Sequence, residues 1–149
     1  MRAVIQRVHR ASVRVSGTTV GKISQGIVVL LGIHRDDTAL EIDWMTEKIA
    51  NLRIFEDDKG AMNLSLFDIG KEMLIVSQFT LYGDCRKGRR PGYSTAAAPD
   101  TAEPLYLQFI DRVKKMGIST ATGKFGAMME VHLVGDGPVT LLLDSDKTF

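Results

Sequence analysis

The sequence contains little cysteine and carries almost no net charge. Its single cysteine, Cys85, excludes an intramolecular disulfide and a zinc site built from cysteines, and it favours a reducing compartment. With 19 Lys and Arg residues against 18 Asp and Glu residues, the formal net charge is +1. The charge balance gives no global positive field of the kind that attracts nucleic acid, so any basic surface must be local.

Long hydrophobic segments are also missing. The longest apolar run, Ile27–Leu31, lies between two glycines and is far shorter than the roughly 18 residues that a membrane-spanning helix needs. No stretch near the amino terminus has the length of a signal-peptide core. We therefore predict a cytoplasmic protein with no membrane partner.

Motifs for common cofactor, metal and nucleophile sites are incomplete. Gly92–Ala96 and Gly117–Ala121 both lack the last glycine of a nucleophile elbow. Gly117–Lys124 has the wrong spacing for a phosphate-binding loop, and Phe125 replaces its hydroxyl residue. The three histidines are far apart, and no metal-ligand spacing connects them. We expect neither a metal ion nor a cofactor.

The residues that are present predict one α+β domain spanning 1–149. The chain is long enough to bury about 68–70% of its unfolded surface. Apolar patterns predict strands at 2–9, 12–16, 20–23, 26–33, 73–81, 118–122, 128–134 and 139–144, in a mostly antiparallel arrangement. Two main helices are predicted from capping-box patterns, Thr38 with Glu41 and Asp100 with Glu103. Residues 57–60 are predicted to form a turn, and 63–67 have no clear pattern.

The strand predicted at 73–81 changes character along its length. Met73–Val76 is apolar, whereas Ser77, Gln78 and Thr80 carry hydrogen-bonding groups. An unpaired buried polar group costs about 1–3 kcal/mol, so these side chains need partners. The partners are either other protein groups or a bound ligand.

Two further segments allow a structural and a functional interpretation. The connection after this strand contains Arg86–Arg90 between Tyr82 and Tyr93, which suits either a solvated loop or contact with an RNA backbone and a stacked base. Gly135–Thr140 contains Gly137-Pro138 and reads as a turn before a strand. An X-Pro bond in such a turn can also be cis.

Taken together, Ser77–Leu81 and Gly137–Thr140 resemble the paired signature of the D-aminoacyl-tRNA deacylases. The resemblance extends along the whole chain and includes Gln6–Val8, Arg86–Pro91 and Thr122–Ala127.

The sequence departs from this family's pattern at two places. Gly135 stands where the family usually has Asn, which is expected to loosen the turn that holds Gly137-Pro138. Gly92-Tyr93 stands where Ser-Phe is commoner, which affects the expected contacts of the preceding loop.

The resemblance implies a barrel-like fold and a metal-free enzyme that hydrolyses the ester between tRNA and a D-amino acid or glycine. It also implies a homodimer with active sites at the subunit interface. Gly137-Pro138 would be cis and would enter the partner's site, where its carbonyls capture the substrate amino group. An L side chain would collide with these carbonyls, whereas glycine would pass.

The resemblance places the reaction at Ser77, Gln78, Phe79 and Thr80. Backbone N–H groups around Gln78 and Phe79 are suited to an oxyanion site. Thr80 has the residue type of a nucleophile but no evident base beside it in sequence. We therefore predict attack by water, assisted by the ribose hydroxyl of the substrate, with Thr80 in a positioning role.

The resemblance also assigns substrate-binding residues. Phe125 matches the residue that borders the terminal adenosine, Ala102 and Met129 match pocket-lining positions, and Arg7 would support Gly137-Pro138. Each of these residues is equally suited to packing. For the chain as a whole, the alternatives are a non-catalytic RNA-binding module that uses Arg86–Arg90, and a structural homodimer.

Overall fold

The computed structural model describes all 149 residues, in eight strands, three α-helices and one 3₁₀ helix. The strands are β1 (Arg2–Val15), β2 (Thr18–Ile23), β3 (Gly26–Gly32), β4 (Arg53–Glu56), β5 (Met62–Ser65), β6 (Glu72–Ser77), β7 (Thr120–Thr122) and β8 (Glu130–Asp144). The helices are α1 (Ala39–Ala50), α2 (Leu66–Ile69), α3 (Pro99–Lys115) and the 3₁₀ helix Phe79–Tyr82.

β1 organises the main sheet because it is paired along both edges. On one edge, Arg2–Val8 pairs antiparallel with β3, and Ala11–Val15 pairs antiparallel with β2. On the other edge, β1 pairs antiparallel with β8 over almost its whole length. β6 and β7 extend the sheet beyond β3 in parallel, and β4 pairs with β5 in a separate two-stranded sheet.

The main sheet curls until its ends meet. β2 lies against β7 so closely that a Cβ added to Gly21 would be 2.3 Å from the carbonyl oxygen of Thr122. Only glycine permits this approach of two backbones. The sheet is therefore a nearly closed barrel, and the α+β prediction with mostly antiparallel pairing is confirmed.

Alternating residues of the central strands fill two apolar clusters. Ile27, Val29 and Leu31 of β3 belong to a cluster of 23 buried residues that includes the apolar faces of α1 and α3. Val28 of β3 belongs to a second cluster of 7 buried residues, on the other face of the strands. Because successive side chains of a strand point to opposite faces, a continuous apolar run is required where both faces are buried.

The two main helices begin differently. Thr38 caps α1, and both hydrogen bonds of the predicted capping box with Glu41 are present. The box predicted for Asp100 and Glu103 is wrong, because α3 begins at Pro99 with Ala98 as its N-cap and no side-chain cap. Asp100 instead lies in the first turn, where the helix dipole favours a carboxylate. No helix of the structure combines the length and apolar character needed to span a membrane.

Several predictions along the chain need correction. The strands predicted at 2–9 and 12–16 are one strand, β1. The strand predicted at 73–81 ends at Ser77, and the chain then enters the 3₁₀ helix. The strands predicted at 128–134 and 139–144 are one strand, because β1 offers β8 a continuous partner. Residues 63–67 form the end of β5 and the start of α2, where Ser65 and Asp68 make a capping box.

Candidate functional site

A pocket of about 590 Å³ opens where β6 ends. It lies between the end of β6, the first turns of α3 and the segment that leads into β8. Seven of the predicted site residues line it, from three separate parts of the chain: Ser77, Gln78, Phe79, Thr80, Ala102, Phe125 and Met129. The other lining residues are Leu31, Ile33, Val76, Ala97, Pro99, Gly126, Ala127, Met128 and Val131.

The pocket contains no ionisable side chain. Eleven of its 16 lining residues are hydrophobic, and the polar side chains are those of Ser77, Gln78 and Thr80. None of these three side chains serves as a general base at neutral pH, and a hydroxyl becomes a nucleophile only when an adjacent base takes its proton. No group of three His, Cys, Asp or Glu side chains suited to a metal ion occurs in the chain. The lining can position and exclude groups, but it offers no acid or base.

The end of β6 leads directly into the 3₁₀ helix, whose first backbone N–H groups have no partner within the helix. The N–H of Gln78 is not one of them, because it donates to the carbonyl of Leu31 at 2.8 Å. The Gln78 N–H therefore already has a partner within the sheet. The N–H groups of Phe79 and Thr80 follow in the first turn of the 3₁₀ helix, where no intrahelical acceptor is available. The N–H groups of Phe79, which belongs to the predicted pair, and of Thr80 are therefore available to a ligand.

Two of the three polar side chains satisfy each other. The amide of Gln78 donates a hydrogen bond to the hydroxyl of Thr80. Ser77 is half-buried at the end of β6 and faces the pocket. The hydrogen-bond partner of Gln78 and of Thr80 is therefore another protein group and not a bound ligand.

A buried tyrosine fixes one wall of the pocket. The Tyr106 hydroxyl donates to the carbonyl of Ile75 at 2.9 Å, and the N–H of Gly123 donates to the same carbonyl at 3.0 Å. The Tyr106 ring packs against Phe125, with 5.7 Å between centroids. Burial raises the pKa of Tyr106, so its hydroxyl stays protonated and continues to donate. Tyr106 is missed by the sequence prediction because it falls on the apolar face of α3.

The floor near Met129 depends on a glycine. A Cβ added to Gly123 would lie 2.6 Å from the Met129 sulfur. A larger residue at position 123 would displace the Met129 side chain, because methionine is more flexible than the other neighbour, Val76.

An aromatic pair forms the outer rim. Phe79 is 55% exposed and packs edge-on against Tyr93, with 5.1 Å between ring centroids. This contact joins the 3₁₀ helix to the long connection that carries the basic residues. An exposed aromatic face at a pocket mouth can stack on a base or a ribose.

The remaining predicted site residues form a second cluster outside the pocket. Arg7 is buried, and its guanidinium contacts both the carbonyl and the carboxylate of Asp136. Gly137 and Pro138 follow directly, are exposed, and are joined by a cis peptide bond, as the resemblance implies. Asp136 is missed by the sequence prediction, although an acidic residue directly before Gly137-Pro138 is a natural partner for Arg7.

The segment around Gly137 is part of a strand rather than a turn before one. β8 continues through Gly135 and Pro138, with register shifts against β1 near Val8. Nothing lies within 4 Å of a Cβ added at Gly135. The predicted loosening of a turn by Gly135 therefore does not apply.

Comparison with known proteins agrees with this geometry. The family model described as D-Tyr-tRNA(Tyr) deacylase matches residues 4–144. D-aminoacyl-tRNA deacylases of Thermosipho africanus and Clostridioides difficile are 62% and 57% identical to this chain, with full coverage of both chains in each case.

Two solved structures are also similar. One, titled c-Myc DNA Unwinding Element Binding Protein, is 44% identical with a TM-score of 0.91 and covers 97% of this chain and 98% of its own. A probable eukaryotic D-amino acid tRNA deacylase shares the fold at 20% identity, with a TM-score of 0.80 and coverage of 95% and 97%. From the family match and the full-length relatives, the chain belongs to the D-aminoacyl-tRNA deacylase family.

Proposed function

We propose that the chain hydrolyses the ester between a D-amino acid and the 3′-terminal ribose of tRNA, in the pocket where β6 ends. One observation carries this assignment: seven predicted site residues from three distant segments line the same cavity. Its volume falls within the usual range for small-ligand sites. Family membership makes the chain a hydrolase of aminoacyl-tRNA.

The proposed chemistry relies on position rather than on an ionisable side chain. The ester carbonyl oxygen accepts hydrogen bonds from the N–H groups of Phe79 and Thr80, which stabilise the negative charge that develops there. A water molecule, assisted by the neighbouring ribose hydroxyl, attacks the carbonyl carbon. The ester C–O bond breaks, the ribose oxygen takes a proton, and the free amino acid leaves. Thr80 positions the reacting groups together with Gln78.

Phe125, Ala102 and Met129 complete the binding site in this proposal. The terminal adenosine lies against Phe125, whose ring is held by Tyr106. Ala102 is a small residue near the start of α3, which leaves space for the substrate. The lining of small and apolar groups suits an uncharged adenosine and the carbon atoms of the amino acid.

Selection against L-amino acids is assigned to Gly137-Pro138 of a second copy of the chain. Both residues are exposed and outside the pocket of their own chain. Their carbonyls bind the substrate amino group and leave no room for an L side chain, whereas glycine passes. We therefore also expect cleavage of glycyl-tRNA, including tRNA(Ala) mischarged with glycine.

The homodimer that this requires is supported by the exposed edge of β8. This strand pairs with β1 alone, and Val131, Leu133, Val134 and Leu142 are all at least 37% exposed along it. A long exposed strand edge with apolar residues is normally covered by a partner. We place the dimer in the cytoplasm, in translation quality control.

Incubation with D-Tyr-tRNA, L-Tyr-tRNA and glycyl-tRNA, followed by quantification of released amino acid, tests the function. Release from the D ester but not from the L ester is expected. Tight tRNA binding with both tyrosyl esters intact would favour a non-catalytic RNA-binding module that uses Arg86–Arg90. No binding at all would leave a structural homodimer.

A further inference from the structure

A basic hairpin stands beside the pocket. It comprises residues 84–92, and two backbone hydrogen bonds between Asp84 and Gly92 close its base, at 2.7 and 3.0 Å. Gly88 near its tip has a φ of +71°, a left-handed conformation that favours glycine. The hairpin is thus a closed turn with a defined base.

Three of the four cations in the basic hairpin have no partner in the chain. Arg86 donates to both carboxylate oxygens of Asp84, at 2.9 and 2.7 Å, and its guanidinium holds the pKa of that carboxyl well below its usual range. Lys87, Arg89 and Arg90 are exposed and make none of the salt bridges. For a chain with a formal net charge of +1, this is a concentrated positive surface.

The base of the hairpin is seated on the element that carries the site. Tyr93, directly after the hairpin, packs against Phe79 of the 3₁₀ helix. At the end of that helix, a Cβ added to Gly83 would lie 3.2 Å from the Tyr93 ring and 3.7 Å from Cβ of Pro91. The base of the basic hairpin is therefore fixed to the rim of the pocket, and the three unpaired cations extend from that base.

We propose that the basic hairpin binds the phosphates of the tRNA strand that leads into the pocket, through Lys87, Arg89 and Arg90. This rests on the proposed function, because an ester at the 3′-terminal ribose brings a phosphodiester chain to the pocket mouth. Unpaired cations gain affinity there by releasing counterions from the RNA, and the forked guanidinium of Arg suits phosphate oxygens. Arg86, already occupied by Asp84, stabilises the hairpin and does not contact the RNA.

The test compares two substrates and a matched control. The variant Lys87→Ala/Arg89→Ala/Arg90→Ala is assayed with D-Tyr-tRNA and with the D-tyrosyl ester of adenosine, which has no phosphate. KM for the tRNA should rise roughly tenfold or more with kcat unchanged, while the adenosine ester is cleaved as by the unmodified protein. The slope of log kcat/KM against log salt is negative, and its magnitude should decrease by about 2. Lys59→Ala, in the exposed turn between β4 and β5, should leave KM and kcat unchanged for both substrates.

Binding of uncharged tRNA, measured by fluorescence anisotropy, separates this proposal from the catalytic one. Weaker binding by the triple variant supports the hairpin even if the unmodified protein cleaves neither tyrosyl ester, a result that would overturn the proposed function alone. Equal tRNA binding by both proteins overturns the hairpin proposal. An equal loss of rate on both substrates also overturns it, because the cations would then act on the pocket itself.

Discussion

Arg7 and Asp136 are joined at two points. Nε of Arg7 lies 3.2 Å from the main-chain carbonyl oxygen of Asp136, and Nη2 lies 3.4 Å from its carboxylate oxygen Oδ1. Nη1 donates to the carbonyl of Ile54 in β4. A single buried guanidinium thus ties the residue before Gly137 to a second sheet.

Removing this guanidinium should cost stability. Arg7→Ala leaves the Ile54 carbonyl without its donor, and we expect the free energy of unfolding to fall by about 1–3 kcal/mol. Arg10→Ala, at an exposed position of the same strand, should change it by less than about 0.5 kcal/mol. Urea denaturation measures both. If Arg7→Ala lowers the free energy of unfolding no more than Arg10→Ala does, the Arg7 contacts make no net contribution to stability.

Gly137 should matter to the pocket of the other subunit. A Cβ at Gly137 would lie 2.8 Å from Cγ2 of Val139, and its φ of +125° disfavours any side chain. Gly137→Ala should therefore abolish D-specific hydrolysis in the partner's pocket. Phe125→Ala should abolish it in the pocket of its own chain. Both losses are measured by release of D-tyrosine from tRNA.

Mixing these two variants tests the shared site. After exchange of subunits, half of the dimers are mixed, and each contains one intact site, so roughly a quarter of the sites should regain activity. Recovery of D-specific hydrolysis in the mixture is the expected result. If the mixture stays as inactive as its components, each site is built from one chain.

Thr80→Ala should retain measurable deacylation. The Thr80 hydroxyl accepts a hydrogen bond from Gln78 and has no ionisable side chain beside it in the pocket. We expect a single-turnover rate within about tenfold of the original, whereas loss of a covalent nucleophile costs roughly 10⁴-fold or more. A complete loss of activity in a protein with an unchanged thermal unfolding curve would restore the nucleophile assignment.

The pH–rate profile should lack the bell shape that an acid and a base residue produce. None of the pocket-lining side chains titrates, so the rate should follow the substrate amino group and the attacking water. His9, which lies 3.7 Å from the Asp136 carboxylate, provides the control. A bell-shaped profile that loses one limb in His9→Gln would assign proton transfer to the protein.

Closure of the barrel can be tested with two glycines. Gly21→Ala forces a Cβ against the backbone of Thr122, whereas Gly135→Ala enters open space. The first should lower the free energy of unfolding by about 1–3 kcal/mol, as overpacking does. The second should leave it unchanged or raise it slightly. Similar unfolding midpoints for the two variants would mean that the close approach of β2 to β7 does not contribute to the free energy of unfolding.

Local patterns predicted the parts of the fold that depend on local interactions. The capping box of Thr38 and Glu41 forms as expected, since both partners lie within one turn. The resemblance, rather than any local pattern, indicated which distant residues share the pocket. Ser77–Thr80, Ala102, Phe125 and Met129 are brought together only by tertiary packing.

The errors have long-range causes. The strand predicted from Met73 ends at Ser77, where its neighbour β3 also ends, and the Gln78 N–H makes the last bond of their ladder, to Leu31, a partner 47 positions earlier in the chain. Gly135–Pro138 resembles a turn, yet it lies within a strand because β1 provides a partner on both sides of it. Turn-forming residues are a weak signal where a neighbouring strand supplies the hydrogen bonds.

The double pairing of β1 has a consequence for local opening of the molecule. Amide protons of a strand bonded on both edges exchange with solvent only when the surrounding sheet opens, so those of β1 should be among the slowest to exchange. The basic hairpin, closed by two backbone bonds, should exchange early. Since Arg7 lies in β1, the residue that orients Gly137 belongs to the most persistent part of the fold. Gly137-Pro138 is thus anchored to the slowest-opening unit, while the basic hairpin remains free to fluctuate.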